Sequence, residues 1–136
     1  MSEPINVSTG RAPAPAGHYV QAKIAFQHIF ISGQLPIRPD GAPLYDDSFE
    51  TQVEQAIDNV LAILKAAGGA PADLVRVTAY IVGVGNWPRF NQIYAQRLGD
   101  AKPTRTVVPV PELHYGYLVE IDAIAFIGNN GRENSI

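Results

Sequence analysis

Residues 103–126, PTRTVVPVPELHYGYLVEIDAIAF, constrain this chain more than any other stretch. They read as two strands. The first carries one arginine, Arg105, and the second carries two acids, Glu120 and Asp122, among apolar residues. Side chains alternate across a strand. Val119, Ile121, Ala123 and Ala125 therefore share one face, and Leu118, Glu120, Asp122, Ile124 and Phe126 share the other. A purely apolar face must cover a core. If the two strands pair antiparallel with Arg105 on the second face, a guanidinium meets carboxylates in a sheltered place. That arrangement is a site for a small anion with an acid beside it. A solvated face with one surface ion pair accounts for the same spacing, since mixed faces are common in antiparallel sheets.

The rest of the chain sets the frame for this pair. With 136 residues, 46% apolar and 17% charged, it fits one globular domain with one core. The net charge of −3 and the lack of a basic cluster argue against a nucleic-acid backbone as partner. There is no cysteine, which excludes disulfides, thiolate metal sites and a thiol nucleophile. No charged-then-apolar leader and no run of about 20 apolar residues is present, so the expected compartment is the cytoplasm and no membrane partner is expected.

Residues 1–17 are rich in Pro, Ala, Gly and Ser, and residues 1–13 read as an extended N-terminal arm. Residues 128–136 (GNNGRENSI) read as a polar tail expected to fray. Between these ends, 19–25 and 28–32 suggest a strand pair, ended by Gly33-Gln34-Leu35-Pro36, with a loop over 36–47. Residues 48–67 form the clearest helix. Asp47 or Ser48 can cap it, Val53, Ile57, Val60, Leu61 and Leu64 make its apolar stripe, and Gly68-Gly69 stops it. Residues 74–82 (LVRVTAYIV) alternate as a strand. A second helix starts at Asn86-Trp87-Pro88 and ends at Gly99, with Phe90, Ile93, Tyr94 and Leu98 as its buried stripe. Two amphipathic helices can cover only one face of such a sheet. The uncovered face, apolar and charged by turns, suggests burial between subunits.

Chemistry-bearing motifs are few. His18, His28 and His114 lack close ligand spacing, so no metal site is expected from them. Ser32-Gly33-Gln34 lacks a phosphate-loop pattern, and no serine has the Gly-x-Ser-x-Gly context of a nucleophile elbow. Arg89 and Arg97 read as a solvated helix edge.

A set of segments, in order and at compatible spacing, carries more weight than any one motif. These are Gly17-His18-Tyr19-Val20-Gln21-Ala22, Ile31-Ser32-Gly33-Gln34-Leu35-Pro36, Gln52 with Asn59-Val60 and Leu64, Phe90-Asn91-Gln92-Ile93-Tyr94, Pro103-Thr104-Arg105-Thr106, and Val119 to Ala125. The set resembles the RidA family, also called YjgF-type or reactive intermediate deaminase, over about residues 14–126. The resemblance implies a single α+β domain of chorismate-mutase-like fold. Its mixed β-sheet carries two α-helices on one face, and it assembles as a homotrimer with sites between neighbouring subunits. It implies cofactor-free hydrolysis of enamines and imines, such as 2-aminoacrylate and its imine tautomer, to 2-oxo acids and ammonia.

By the same resemblance, Arg105 matches the arginine that holds the substrate carboxylate, Glu120 the acid near the attacking water, and Tyr19 a third catalytic group. Ser32 and Gly33 match the turn lining the cleft, and Asn91 a recurrent helix asparagine near the pocket. The chain departs from the family pattern in two places. Val107 stands where deaminating members often have cysteine. Leu113-His114-Tyr115-Gly116 replaces a common Leu-Pro-Lys-Asp or Leu-Pro-Lys-Gly turn, which removes a cation and places Tyr115 among the substrate-binding residues. Larger or more apolar imines are the expected preference. Two other functions stay open at this point: a trimer that binds a carboxylate metabolite without turnover, and the ribonuclease or translation-inhibitor role sometimes attached to the family. The acidic balance disfavours the ribonuclease role.

Overall fold

The computed structural model describes residues 3–128. Six strands form one mixed sheet in the order β1-β2-β3-β6-β4-β5. They are β1 (Ile5–Val7), β2 (Ala22–Ala25), β3 (His28–Gln34), β4 (Leu74–Val82), β5 (Thr104–Val110) and β6 (Val119–Phe126). Helix α1 (Phe49–Ala66) connects β3 to β4, and α2 (Trp87–Leu98) connects β4 to β5. β4 and β5 run parallel, as a helical crossover requires. β6 runs antiparallel to both β3 and β4 and lies between them.

This topology corrects one expectation from the sequence. The strands bearing Arg105 and Glu120 are not partners, because β4 separates them. A short chain connection favours pairing of neighbours, but β3 and β4 occupy both edges of β6, and β5 pairs with β4 instead.

The sheet has two unlike faces. Val77, Ala79 and Ile81 of β4 and Val119, Ile121, Ala123 and Ala125 of β6 are buried against the helices. The stripe Val53, Ile57, Val60 and Leu64 of α1, with Phe90, Ile93 and Leu98 of α2, completes this core. The opposite face carries Phe30 beside Ile124, Thr78 beside Asp122 and Tyr80 beside Glu120. Phe30 stays 46% exposed there, so this face has no cover within the chain.

Local chemistry sets the element ends. Ser48, rather than Asp47, caps α1 by accepting the Thr51 backbone N–H at 3.1 Å. Gly68 then turns the chain with φ of +94°. Pro88 lies in the first turn of α2, and Gly99 ends it with φ of 59°. The first strand of the expected hairpin begins at Ala22 rather than at residue 19, and β3 continues through Ser32 and Gly33 to Gln34. The register shifts between Ile31 and Gln34, a bulge that lets the strand carry the Ser-Gly pair without ending.

The arm holds β1, a strand that the composition of residues 1–13 concealed. Buried Gln21 pins the segment after it. Its Oε1 accepts from Thr9 N at 2.7 Å, and its Nε2 lies near the carbonyls of Thr9, Ala12 and Pro13. Of the expected tail, all but Gly128 lies outside the described residues.

Candidate active site

Glu120 sits on the uncovered face, two strands in from the β5 edge. The β3 bulge passes directly against it. A Cβ added to Gly33 would stand 2.6 Å from Glu120 Oε2, 3.2 Å from Cδ and 3.4 Å from Cγ. Glycine at 33 is therefore a matter of room for a carboxylate. Ser32, next in the bulge, donates its hydroxyl to the Val20 carbonyl at 2.7 Å, and its N–H reaches the Gln21 carbonyl. The Ser32 hydroxyl thus ties the bulge to the segment that carries Tyr19.

A cleft of about 870 Å³ opens beside Glu120. Tyr19 and Gly17 line one wall, and residues 112–116, including His114 and Tyr115, line another. Tyr19 is half exposed, and its hydroxyl oxygen accepts the Ala16 N–H at 3.3 Å. Three of the expected site residues, Tyr19, Tyr115 and Glu120, thus meet in one place. Ser32 and Gly33 support it from behind.

The electrostatics of the cleft favour a proton-handling acid. Burial pushes the Glu120 carboxyl above its ordinary value, neighbouring Asp122 pushes it further, and His114 offsets part of the rise. Asp122 is raised too, by burial, with Arg76 opposing. A carboxyl whose proton is held more tightly than usual is better suited to take a proton and return it.

Arg105 and Asn91 are elsewhere. Arg105 pairs in register with Val77, a buried residue of the helix-covered face. Its guanidinium carbon lies 5.1 Å from the Tyr94 ring centroid and 5.7 Å from that of Phe90. Two aromatic rings of α2 thus hold the fork from the helix side. No ion pair among the described residues engages it. Asn91 is exposed on α2 between those two rings in sequence. Val107, two residues along β5, shares the Arg105 face and packs at the core margin. The acid cleft and the arginine fork therefore lie on opposite faces of one sheet.

Two residues named in the sequence only as part of the family pattern, Gln52 and Asn59, support the site. Gln52 is fully buried, and its Nε2 donates to the Asp47 carbonyl at 3.0 Å while its Oε1 accepts from Leu118 N at 2.9 Å. It joins α1 to the start of β6, two residues before Glu120. Asn59 donates to the carbonyls of Leu35 and Ile37, fixing the chain that leaves the bulge. The available signal was their position, because both fall within one helical turn of the α1 apolar stripe. Arg89 and Arg97 form the expected solvated edge, in surface ion pairs with Glu50 and Asp58 of α1. No group of three or more His, Cys, Asp or Glu among the described residues could hold a metal ion. No helix among them is long and apolar enough to cross a membrane.

Comparison with known proteins shows the family. The family model described as Endoribonuclease L-PSP matches residues 9–127. A RutC family protein of Pyrococcus horikoshii is 38% identical over 120 residues, spanning 88% of this chain and 95% of the relative. The 2-iminobutanoate/2-iminopropanoate deaminase of Bos taurus is 35% identical over 122 residues, spanning 90% and 89%. The crystal structure of E. coli TdcF with bound serine superposes with a TM-score of 0.84 at 31% identity, covering 90% of this chain and 98% of that one. The chain belongs to the L-PSP family, which is the YjgF/RidA family.

Proposed function

We propose that this protein hydrolyses small enamine and imine intermediates to 2-oxo acids and ammonia, in the cytoplasm and without a cofactor. The observation that carries the reading is the Glu120 carboxyl, half-buried and raised toward neutrality in a cleft beside Tyr19. The deaminase name of the bovine relative supports the reaction class.

The geometry supports a step for each group. Arg105, held by two rings and in no ion pair among the described residues, grips the substrate carboxylate through two parallel hydrogen bonds. Glu120 takes a proton from water as its oxygen attacks the C=N carbon. The same carboxyl returns that proton to nitrogen, giving a carbinolamine. It then passes the carbinolamine hydroxyl proton to nitrogen as the C=O forms and the C–N bond breaks, so ammonia leaves. Tyr19 orients the substrate and steadies developing charge. The gap left at Gly33 lets the Glu120 carboxylate lie flat against β3.

The two half-sites meet only between copies. A two-fold contact joins like surfaces, so groups on opposite faces of one sheet do not meet across it. The fork of one copy can reach the acid cleft of the next by a head-to-tail contact, and such contacts close into rings. Three is the smallest ring, in line with the homotrimer and chorismate-mutase-like fold that the family resemblance implies. The exposed Phe30 and Ile124 pair gives the uncovered face apolar surface to bury in such a ring.

The test is ammonia release from imines made in situ by an amino-acid oxidase. Initial rates above spontaneous hydrolysis, lost in Arg105→Ala, support turnover. Rates equal to the spontaneous ones across small, aliphatic and aromatic imines leave a carboxylate-binding trimer as the better reading.

A further inference from the structure

Four rings from two segments, His114, Tyr115 and Tyr117 in one and Tyr45 in the other, form a continuous ladder that begins at the cleft wall. His114 and Tyr115 have centroids 4.3 Å apart. Tyr115 meets Tyr117 edge to face at 6.4 Å and 88°, and Tyr117 meets Tyr45 at 5.7 Å and 66°. Such edge-to-face spacings are favourable and directional. Tyr117 is 2% exposed and anchors the ladder, whereas Tyr115 is 71% exposed at the cleft wall.

The backbone pays to keep Tyr115 there. Its φ of 57° and ψ of 17° fall in the left-handed region, which disfavours a bulky side chain. Gly116 follows with φ of 80°. The turn is closed by Gly116 N–H to Leu113 O at 3.1 Å and Tyr117 N–H to His114 O at 3.2 Å. A glycine at 115 would adopt this shape without strain. The strained tyrosine instead holds a flat ring, with few degrees of freedom left, in the same cleft as Glu120.

We propose that this ladder makes the cleft selective for 2-imino acids with an aromatic side chain, and that Tyr115 determines that selectivity by offering its ring to the substrate's ring. The inference rests on the imine-hydrolase reading and narrows its substrate class. The reaction is ArCH2–C(=NH)–COO⁻ plus water giving ArCH2–C(=O)–COO⁻ plus ammonia. The water oxygen becomes the keto oxygen, and both water hydrogens leave on nitrogen. Glu120 and residues 113–116 line the same cleft, so a side chain larger than methyl on the reacting carbon has that wall to meet.

The test compares kcat/KM for phenylalanine-derived and alanine-derived imines in the wild type, Tyr115→Phe and Tyr115→Gly. The wild type should prefer the phenylalanine imine by about tenfold, the scale of one ring–ring contact. Tyr115→Phe should keep that ratio. Tyr115→Gly should lose it while melting no lower than the wild type, because strain is relieved. An unchanged ratio in Tyr115→Gly overturns the proposal and leaves imine hydrolysis standing. If no imine is turned over, the hydrolase reading falls, and calorimetry with phenylpyruvate and pyruvate decides the role of the ladder. About tenfold tighter phenylpyruvate binding, lost in Tyr115→Gly, supports it. Equal affinities overturn it.

Discussion

Arg105 and Glu120 lie on opposite faces of the same sheet, with β4 between their strands. The residue types suited to gripping and hydrolysing an imino acid are all present in one chain. On the proposed reading, that placement makes one chain insufficient and assembly part of the chemistry.

Replacing Arg105 with alanine should lower kcat/KM by about 30-fold to several thousand-fold, the cost of losing a charged, hydrogen-bonded contact. The side chain is exposed and lies over rings rather than within the core, so thermal stability should barely move. Arg105→Lys should recover only part of the activity, since an ammonium cannot form the two-pronged contact. Steady-state kinetics with a melting curve on each variant checks both statements.

Glu120 should show a characteristic pH signature. Its folded-state value is raised, so the folded protein holds this proton more tightly than the unfolded chain does. The favourable contribution is complete below the ordinary carboxyl value and is lost as pH rises through the raised one. Glu120→Gln should therefore melt higher than the wild type at neutral pH, and the gap should close as pH falls below the ordinary value of 4.5. Turnover should fall by about 100-fold to 10,000-fold, as for removal of a general acid–base group. A variant that melts lower at neutral pH would assign Glu120 to structural pairing instead.

Gly33→Ala tests the room left for the carboxylate. The new methyl would meet Glu120 Oε2 at 2.6 Å. A glutamate end can swing aside, so folding should survive while kcat drops. Circular dichroism and kinetics on the same sample separate the two effects.

Gln52→Leu addresses the support beneath the site. The substitution removes the partners of Leu118 N and the Asp47 carbonyl. Leaving those groups unmatched should cost roughly 2–4 kcal/mol. Urea denaturation should show a lower midpoint at an unchanged slope.

The parts of this fold legible in the sequence are those with sustained periodicity. Helix α1 and strand β4 stand where their patterns place them, because 18 and 9 residues supply several repeats each. Strand β1 has only Ile5, Asn6 and Val7, too few to alternate visibly, and its arm is pinned by Gln21 from another segment. Alternation shows which residues share a face of one strand but not which strands are neighbours. That is why Arg105 and Glu120 could be picked out while their separation could not. The split follows from the non-local β4–β5 pairing alone.

The central claim is that Arg105 of one copy serves Glu120 of another, and subunit mixing tests it most directly. Arg105→Ala and Glu120→Gln, each nearly inactive alone, are unfolded together, refolded as mixed oligomers and assayed for imine hydrolysis. With random assembly, about one site in four combines an intact arginine with an intact glutamate from the neighbouring copy. The account predicts that about a quarter of wild-type activity returns. Mixed oligomers no more active than the separate variants would contradict it, and would separate the arginine fork from the reaction at Glu120.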